Sequence, residues 1–177
     1  MTLAAHGVVG AALGKNVKAN LLAVFVLAFV SHWILDAIPH LDYQLGSYVR
    51  DYGNRLNDDL VFGAQFARDL ILIGGDILLG LIVSWFLFKK KGTKSALLAP
   101  AVLVGYGAAI FPDILHFVQM KLKVEPFNTI QRVHDFFHSS IQFRSGFWFA
   151  NATELIPIII LILLINYLCC RGSNHSS

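Results

Sequence analysis

Long apolar runs interrupted by histidine and aspartate limit the folds that this chain can adopt more than any other feature of its sequence. Only 14% of the 177 residues are charged, whereas 56% are hydrophobic. Soluble domains usually carry about 25% charged residues. A helix needs roughly 20 apolar residues to cross the hydrocarbon of a bilayer, and several runs reach that length. We therefore predict an all-α, polytopic membrane helix bundle.

Four of the runs are predicted to be full membrane spans. They cover residues 20–38, 69–88, 95–119 and 147–168. The segment 2–13 is apolar but only about half as long as a span, and we predict a half-helix whose glycines allow it to pack closely against the spans. The sequence thus predicts one transmembrane domain over residues 1–170 and a short polar tail over 171–177.

The connections between the runs differ in length. Residues 15–18 and 89–94 form short connections, whereas 39–68 and 120–146 form long ones, and alternation of the spans places both long connections on one side. Lysine is crowded into the short connections, which the positive-inside rule places in the cytoplasm. We therefore predict that the long connections face outward and that each carries a short amphipathic helix.

The charge and the cysteine content give no support for a nucleic-acid-binding protein, a disulfide-stabilised protein or a zinc finger. The net charge is +3, without a basic stripe interleaved with aromatic residues, so the sequence gives no reason to expect a nucleic-acid partner. The only cysteines, Cys169 and Cys170, are adjacent, which is neither a disulfide framework nor zinc-finger spacing.

Ionisable residues at membrane depth form the candidate site. Each ionisable residue costs a few kcal/mol to insert into the membrane, so a set of them without a function would destabilise the bundle. Counted at the rise of a helix, His32 lies about 21 Å from Lys18 and Asp113 about 29 Å from Lys94. Such depths place the polar groups in one layer near the outer face, with the long connections above it. This layer comprises His6, His32, His40, His116, His134, His138, Asp36, Asp42, Asp76, Asp113 and Glu154.

The spacing of these residues is typical of metal ligands. His32, Asp36 and His40 are four residues apart, which places them on one helix face until Pro39 ends the helix. His134 and His138 repeat the four-residue step. Imidazole and carboxylate are the ligands of zinc and related divalent ions.

We therefore predict a site for one to three divalent ions, with zinc expected. The predicted ligands are His6, His32, Asp36, His40, Asp76, Asp113, His116, His134 and His138. Asp42 and Glu154 are predicted to act as a general base or to orient the ligands. The alternatives are hydrogen bonding between buried polar residues and a proton or ion pathway. Arg132 and Arg144 are candidates for binding a phosphate, or for charges at the headgroup level.

Four short motifs resemble a known family. TLAAHGVVGAAL, SHWILDAIPHLD, FPDILH and HDFFHSS follow one another along most of the chain. Together they resemble the YdjM-like, inner-membrane-associated metal-dependent hydrolases. The family tends to have HRGxTHS where this chain has HDFFHSS, with one more residue between the histidines. The resemblance implies a metal-dependent hydrolase in a bacterial inner membrane.

A more distant similarity concerns zinc-dependent phospholipase C and the related zinc nucleases. Their multi-zinc sites include an HxxxD step followed by another histidine, and His32, Asp36 and His40 are similar to it. This similarity implies hydrolysis of a phosphoester at two or three metals.

Together these features predict a metal-dependent phosphoester hydrolase in the membrane. Its position at the bilayer edge favours a lipid or lipid-linked substrate. The first alternative is a transporter for metal ions or protons, which would need polar residues through the inner half of the bilayer. The second alternative is a non-catalytic membrane scaffold.

Overall fold

The computed structural model describes residues 1–17, 20–88, 100–138 and 142–173, and helices make up 76% of these residues. The predicted helical bundle is thereby confirmed. The six helices are α1 (Leu3–Asn16), α2 (Leu21–Asp36), α3 (Ala64–Phe88), α4 (Pro100–Leu122), α5 (Phe127–Phe137) and α6 (Phe147–Ser173). The predicted boundary at residue 95 lies outside the described residues.

Four short strands make the all-α prediction wrong in detail. They are β1 (His40–Tyr43), β2 (Tyr48–Val49), β3 (Asp59–Leu60) and β4 (Gln142–Ser145). β1 pairs in parallel with β4, His40 opposite Gln142, and β2 pairs antiparallel with β3. Pro39 removes a backbone donor and disfavours helix in the residue before it. The chain therefore leaves the helical conformation there, and the strands draw the two long connections together.

Within the described residues, three helices are long and apolar enough to cross a membrane: α3, α4 and the part of α6 from Phe147 to Leu164. The sequence predicted a fourth span over 20–38, but α2 has only 16 residues. At helical rise it is about 24 Å long, shorter than the roughly 30 Å of a hydrocarbon core. The helix ends at Asp36, and the chain then turns toward β1, which begins at His40.

The N-terminal helix α1 is the most buried element of the bundle. It packs against α2, α3, α4 and α6. A side chain at Gly10 would collide with the backbone carbonyl of Gly105 on α4, and one at Gly105 would collide with the carbonyl of Gly10. The two backbones approach this closely only because neither residue has a Cβ.

Replacing Gly105 by alanine is therefore expected to lower the free energy of unfolding by about 1–3 kcal/mol, the usual cost of overpacking. Gly107 on the same helix is a matched control, because a Cβ there would meet nothing within 4 Å. Gly107→Ala should be neutral or stabilising by about 0.5–1 kcal/mol. Thermal unfolding of both variants in detergent measures the difference, and equal midpoints would contradict the close packing.

The two long connections meet at one end of the bundle. Arg55 Nη1 lies 2.7 Å from Asp135 on α5, and Gln119 of α4 donates to the carbonyl of Leu56 at 3.1 Å. The predicted amphipathic helix of the 120–146 connection is α5. In the 39–68 connection the structure has a 3-10 turn, Arg55–Asn57, instead of the predicted helix. This end of the bundle holds the candidate site.

Candidate metal centre

Seven of the nine predicted ligands lie in three overlapping groups. Within each group, one ligand atom from every residue lies within 4.8 Å of the others. The groups are His6, His32 and Asp36; His32, Asp113 and His134; and Asp36, His40 and His138. We call these seven residues the ligand cluster. Because the groups share His32 and Asp36, the cluster is one continuous site that can hold one or more metal ions.

Asp36 lies at the centre of the ligand cluster. It is 1% exposed, and its Oδ1 lies 3.0 Å from Nε2 of His6. Its Oδ2 lies 3.1 Å from Nε2 of both His32 and His134. A carboxylate buried this deeply requires positive charge or several donors. The α-ammonium of Met1 donates to Oδ1 at 3.3 Å, and three imidazole rings from three different helices surround the carboxylate.

The second group is spaced closely enough for its three ligand atoms to share one metal ion. Nε2 of His32 lies 3.4 Å from Nε2 of His134, and 3.7 Å from Oδ1 of Asp113. Nε2 of His134 lies 3.9 Å from the same Oδ1 of Asp113. Ligands 2.0–2.1 Å from a tetrahedral zinc ion lie about 3.3 Å from one another. The observed separations are slightly larger, so these three atoms fit an ion after a small contraction.

Two ligand histidines are oriented by backbone carbonyls. Nδ1 of His32 lies 2.8 Å from the carbonyl oxygen of Ala109, and Nδ1 of His40 lies 2.7 Å from that of Ile38. A hydrogen on each Nδ1 satisfies these bonds and leaves each Nε2 as the ligand atom, an arrangement common at metal sites. Nε2 of His40 is indeed buried without a hydrogen-bond partner among the described residues.

Outside the candidate spans, electrostatics act differently on the two ligand histidines. Burial lowers the pKa of His40, but the interaction with Asp42 outweighs burial and raises it above its usual value. Burial raises the pKa of the Asp42 carboxyl, but His40 and the α-ammonium of Met1 outweigh burial and hold the pKa well below its usual range. Burial lowers the pKa of His138 to about 3. At neutral pH the carboxylate of Asp42 is thus ionised and the ring of His138 is neutral, as metal ligation requires.

Two predicted ligands, Asp76 and His116, lie outside the three groups. Oδ2 of Asp76 accepts from the backbone N–H of Leu3 at 2.8 Å and from the hydroxyl of Tyr43 at 3.2 Å. Nδ1 of His116 is hydrogen-bonded to Gln131. Asp76 therefore holds the start of α1, and His116 supports α5. The sequence could not distinguish these roles, because all of these groups lie at a similar depth.

The two predicted catalytic carboxylates differ in their surroundings. The side chain of Asp42 is 32% exposed, and its Oδ2 lies 3.5 Å from Nε2 of His40. Both oxygens of Glu154 are occupied: they accept from the backbone N–H of Thr2 at 2.7 Å and of Leu41 at 3.2 Å. Asp42 can therefore exchange a proton with solvent, whereas Glu154 ties α6 to α1 and β1.

A cavity of about 300 Å³ opens beside the ligand cluster. Asp36, Asp113, His134 and His138 line it, and so do Asp42, His116, Arg50, Arg55, Tyr43, Tyr48 and Tyr52. The arginines lie within the long connection before α3. The cavity thus joins metal-binding groups to cationic groups that suit an anionic ligand.

The arginines of the cavity are not those that the sequence suggested. Arg132 is 64% exposed by its side chain and lies 3.9 Å from Glu125, and it does not line the cavity. The side chain of Arg144 lies outside the described residues. Arg50 and Arg55 were missed because their connection has no helical periodicity from which to infer a direction. Their closeness in sequence to His40 and Asp42 was the available signal.

Comparison with known proteins finds no match: no family model, no curated protein and no solved structure is significantly similar to this chain. The site must therefore be interpreted from its own geometry.

Proposed function

We propose that this chain is a multi-pass membrane protein with a metal-dependent hydrolase site that acts on a phosphoester, and that zinc is the metal. One observation carries the proposal: a buried cluster of imidazoles and carboxylates borders a cavity that also contains two arginines. Three helices suited to crossing a membrane support the location. A bacterial inner membrane is the location that the family resemblance implies.

The residues of the site divide into three roles. The ligand cluster holds the metal, which when bound would lower the pKa of a water ligand to about 7. Arg50 attracts the anionic phosphoester and orients it by charge-assisted hydrogen bonds. Arg55 already pairs with Asp135 at 2.7 Å and holds this wall of the cavity in place. Asp42, which is ionised and lies 3.5 Å from Nε2 of His40, orients that histidine.

Stripping and restoring the metal tests this function. We expect the protein purified in detergent to contain stoichiometric zinc, and we expect chelation to abolish hydrolysis of phosphodiesters and phospholipids. Added Zn²⁺ should restore the activity, because chelation removes the ion but leaves the side chains that bind it in place. Elemental analysis and a hydrolysis panel provide the measurement.

The same preparation separates this function from its alternatives. The absence of stoichiometric metal would overturn the proposal. Bound metal without hydrolysis of any substrate, together with metal uptake into liposomes, would favour the transporter instead. Bound metal with neither activity would favour a scaffold that the metal stabilises.

A further inference from the structure

An apolar groove of about 490 Å³ runs between α3 and α4. Phe66, Leu70, Ile73 and Ile77 line it from α3 at spacings of three and four residues, which place them on one helix face. Ile110 and Ile114 line it from α4. Leu70 is 51% exposed and Ile114 is 44% exposed, so the groove is open along its side. Both helices are candidate membrane spans, and the open side would face lipid.

The groove is continuous with the cavity of the ligand cluster. Leu3, Ile73, Asp113 and Phe117 line both spaces, and Asp113 belongs to the second ligand group. A molecule lying in the groove would therefore pass beside a metal ligand, Asp113, where the groove opens into the cavity.

The groove also has a defined length. It runs along α3 from Phe66 to Ile77, a distance of about 16 Å at helical rise. At the far end the hydroxyl of Tyr106 donates to the carbonyl of Ile77 at 2.7 Å, so α3 and α4 are joined there. At the near end Lys121 lies over the ring of Phe62 and pairs with Asp59 at 2.7 Å. The apolar part thus lies toward the membrane interior and the charged end toward the membrane surface.

Charge and polarity identify the molecule that would fit both spaces. It must be apolar over the length of the groove and anionic where it passes Asp113 into the cavity that holds the metal ligands and Arg50. A lipid phosphoester has this form, and the bilayer supplies it along the open side. A packed protein helix would fill the groove but would bring no anion to the metal cavity.

Building on the proposed function, we infer that the substrate is a membrane lipid phosphoester whose acyl chain lies in the groove between α3 and α4 while its phosphate enters the metal cavity. The lipid enters laterally from the bilayer.

A bulky substitution in the groove tests this inference. Leu70→Trp fills the groove, whereas Ile71→Trp is the matched control, because Ile71 is 75% exposed and does not line the groove. The substrates are two phosphoesters with one headgroup, one long-chain in vesicles and one short-chain and water-soluble. We expect Leu70→Trp to lower kcat/KM at least about tenfold for the long-chain substrate, as if roughly two methylene groups lost apolar contact. It should leave the short-chain substrate unchanged, and Ile71→Trp should affect neither.

A second measurement does not depend on activity. Zinc-loaded protein in phosphatidylcholine vesicles is irradiated with a small fraction of an anionic phospholipid that carries a diazirine on its acyl chain, and labelled residues are mapped by mass spectrometry. We expect labelling at Leu70 and Ile114 to exceed that at Ile71, and Leu70→Trp to reduce labelling at Ile114.

The two measurements distinguish failure of the inference from failure of the proposed function. Equal labelling of Leu70 and Ile71, or a Leu70→Trp variant that treats both substrates alike, overturns the groove as an acyl-chain site while the hydrolase stands. Absence of hydrolysis by the zinc-loaded wild type overturns the hydrolase and, with it, the lipid as a substrate. Preferential labelling of the groove in that case identifies a lipid-binding site without hydrolysis.

Discussion

Asp36→Asn is expected to reduce the affinity for zinc at least about 100-fold and to abolish hydrolysis. Removal of a group that only supports a ligand typically costs 10–100-fold, whereas Asp36 is itself a ligand and, like His32, belongs to two of the three ligand groups. An amide has the shape of the carboxylate but lacks its charge. Its NH2 group would also point a donor toward an imidazole nitrogen that now faces a carboxylate oxygen.

Loss of charge at Asp36 should act on several histidines together. Without the carboxylate, the imidazoles of His6, His32 and His134 lose their common partner. Because these rings come from three different helices, the effect spreads over the whole ligand cluster. We therefore expect metal content to fall more in Asp36→Asn than in a variant of His6 alone, which belongs to a single group.

Asp76→Asn is the matched control for this prediction. Asp76 is also buried and also lies on a candidate span, but it belongs to none of the three groups among the described residues. Its amide oxygen can still accept from the N–H of Leu3. We expect this variant to keep its zinc, as measured by elemental analysis after gel filtration. Equal zinc loss in both variants would contradict the assignment of Asp36 as the shared ligand.

The candidate site could be predicted from the sequence largely because ionisable residues inside membrane spans face the interior of the bundle and pair with one another. The repeating four-residue steps placed His32 and Asp36 on one face, and the structure has them 3.1 Å apart. Their depth then identified partners on other segments, such as His6 and His134. The coarse prediction of a helical bundle with clusters able to bind metal is confirmed.

The remaining features depend on long-range contacts that the sequence does not encode locally. His40 and Asp42 lie on a strand because Gln142 and Arg144 provide the opposing backbone in β4, and that pairing joins residues about a hundred positions apart. Asp76 and Glu154 have the depth and chemistry of ligands. Only the tertiary structure shows that their oxygens accept from the backbone of Leu3, Thr2 and Leu41 instead.

Glu154→Ala is expected to lower the free energy of unfolding by roughly 3–5 kcal/mol. Hydrogen bonds to a charged group contribute about 1.5–3 kcal/mol each, and Glu154, only 7% exposed, accepts two from the buried backbone. Thr153→Ala is the control, because the Thr153 hydroxyl bonds only within its own helix among the described contacts. Thermal unfolding in detergent should show a large difference between these neighbouring variants.

Glu154→Gln separates a positioning role from the catalytic role that the sequence suggested. If Glu154 positions α1 and β1, and thereby His6 and His40, the amide keeps one acceptor and loses the other. Stability and zinc affinity should then fall together, by about half of the effect of alanine, while the pH dependence of hydrolysis keeps its shape. If Glu154 were instead the general base, Glu154→Gln would retain zinc and stability but lose hydrolysis. Because both carboxylate oxygens already accept backbone hydrogen bonds, we expect the first result. Asp42→Asn should retain its zinc, because Asp42 belongs to none of the three ligand groups.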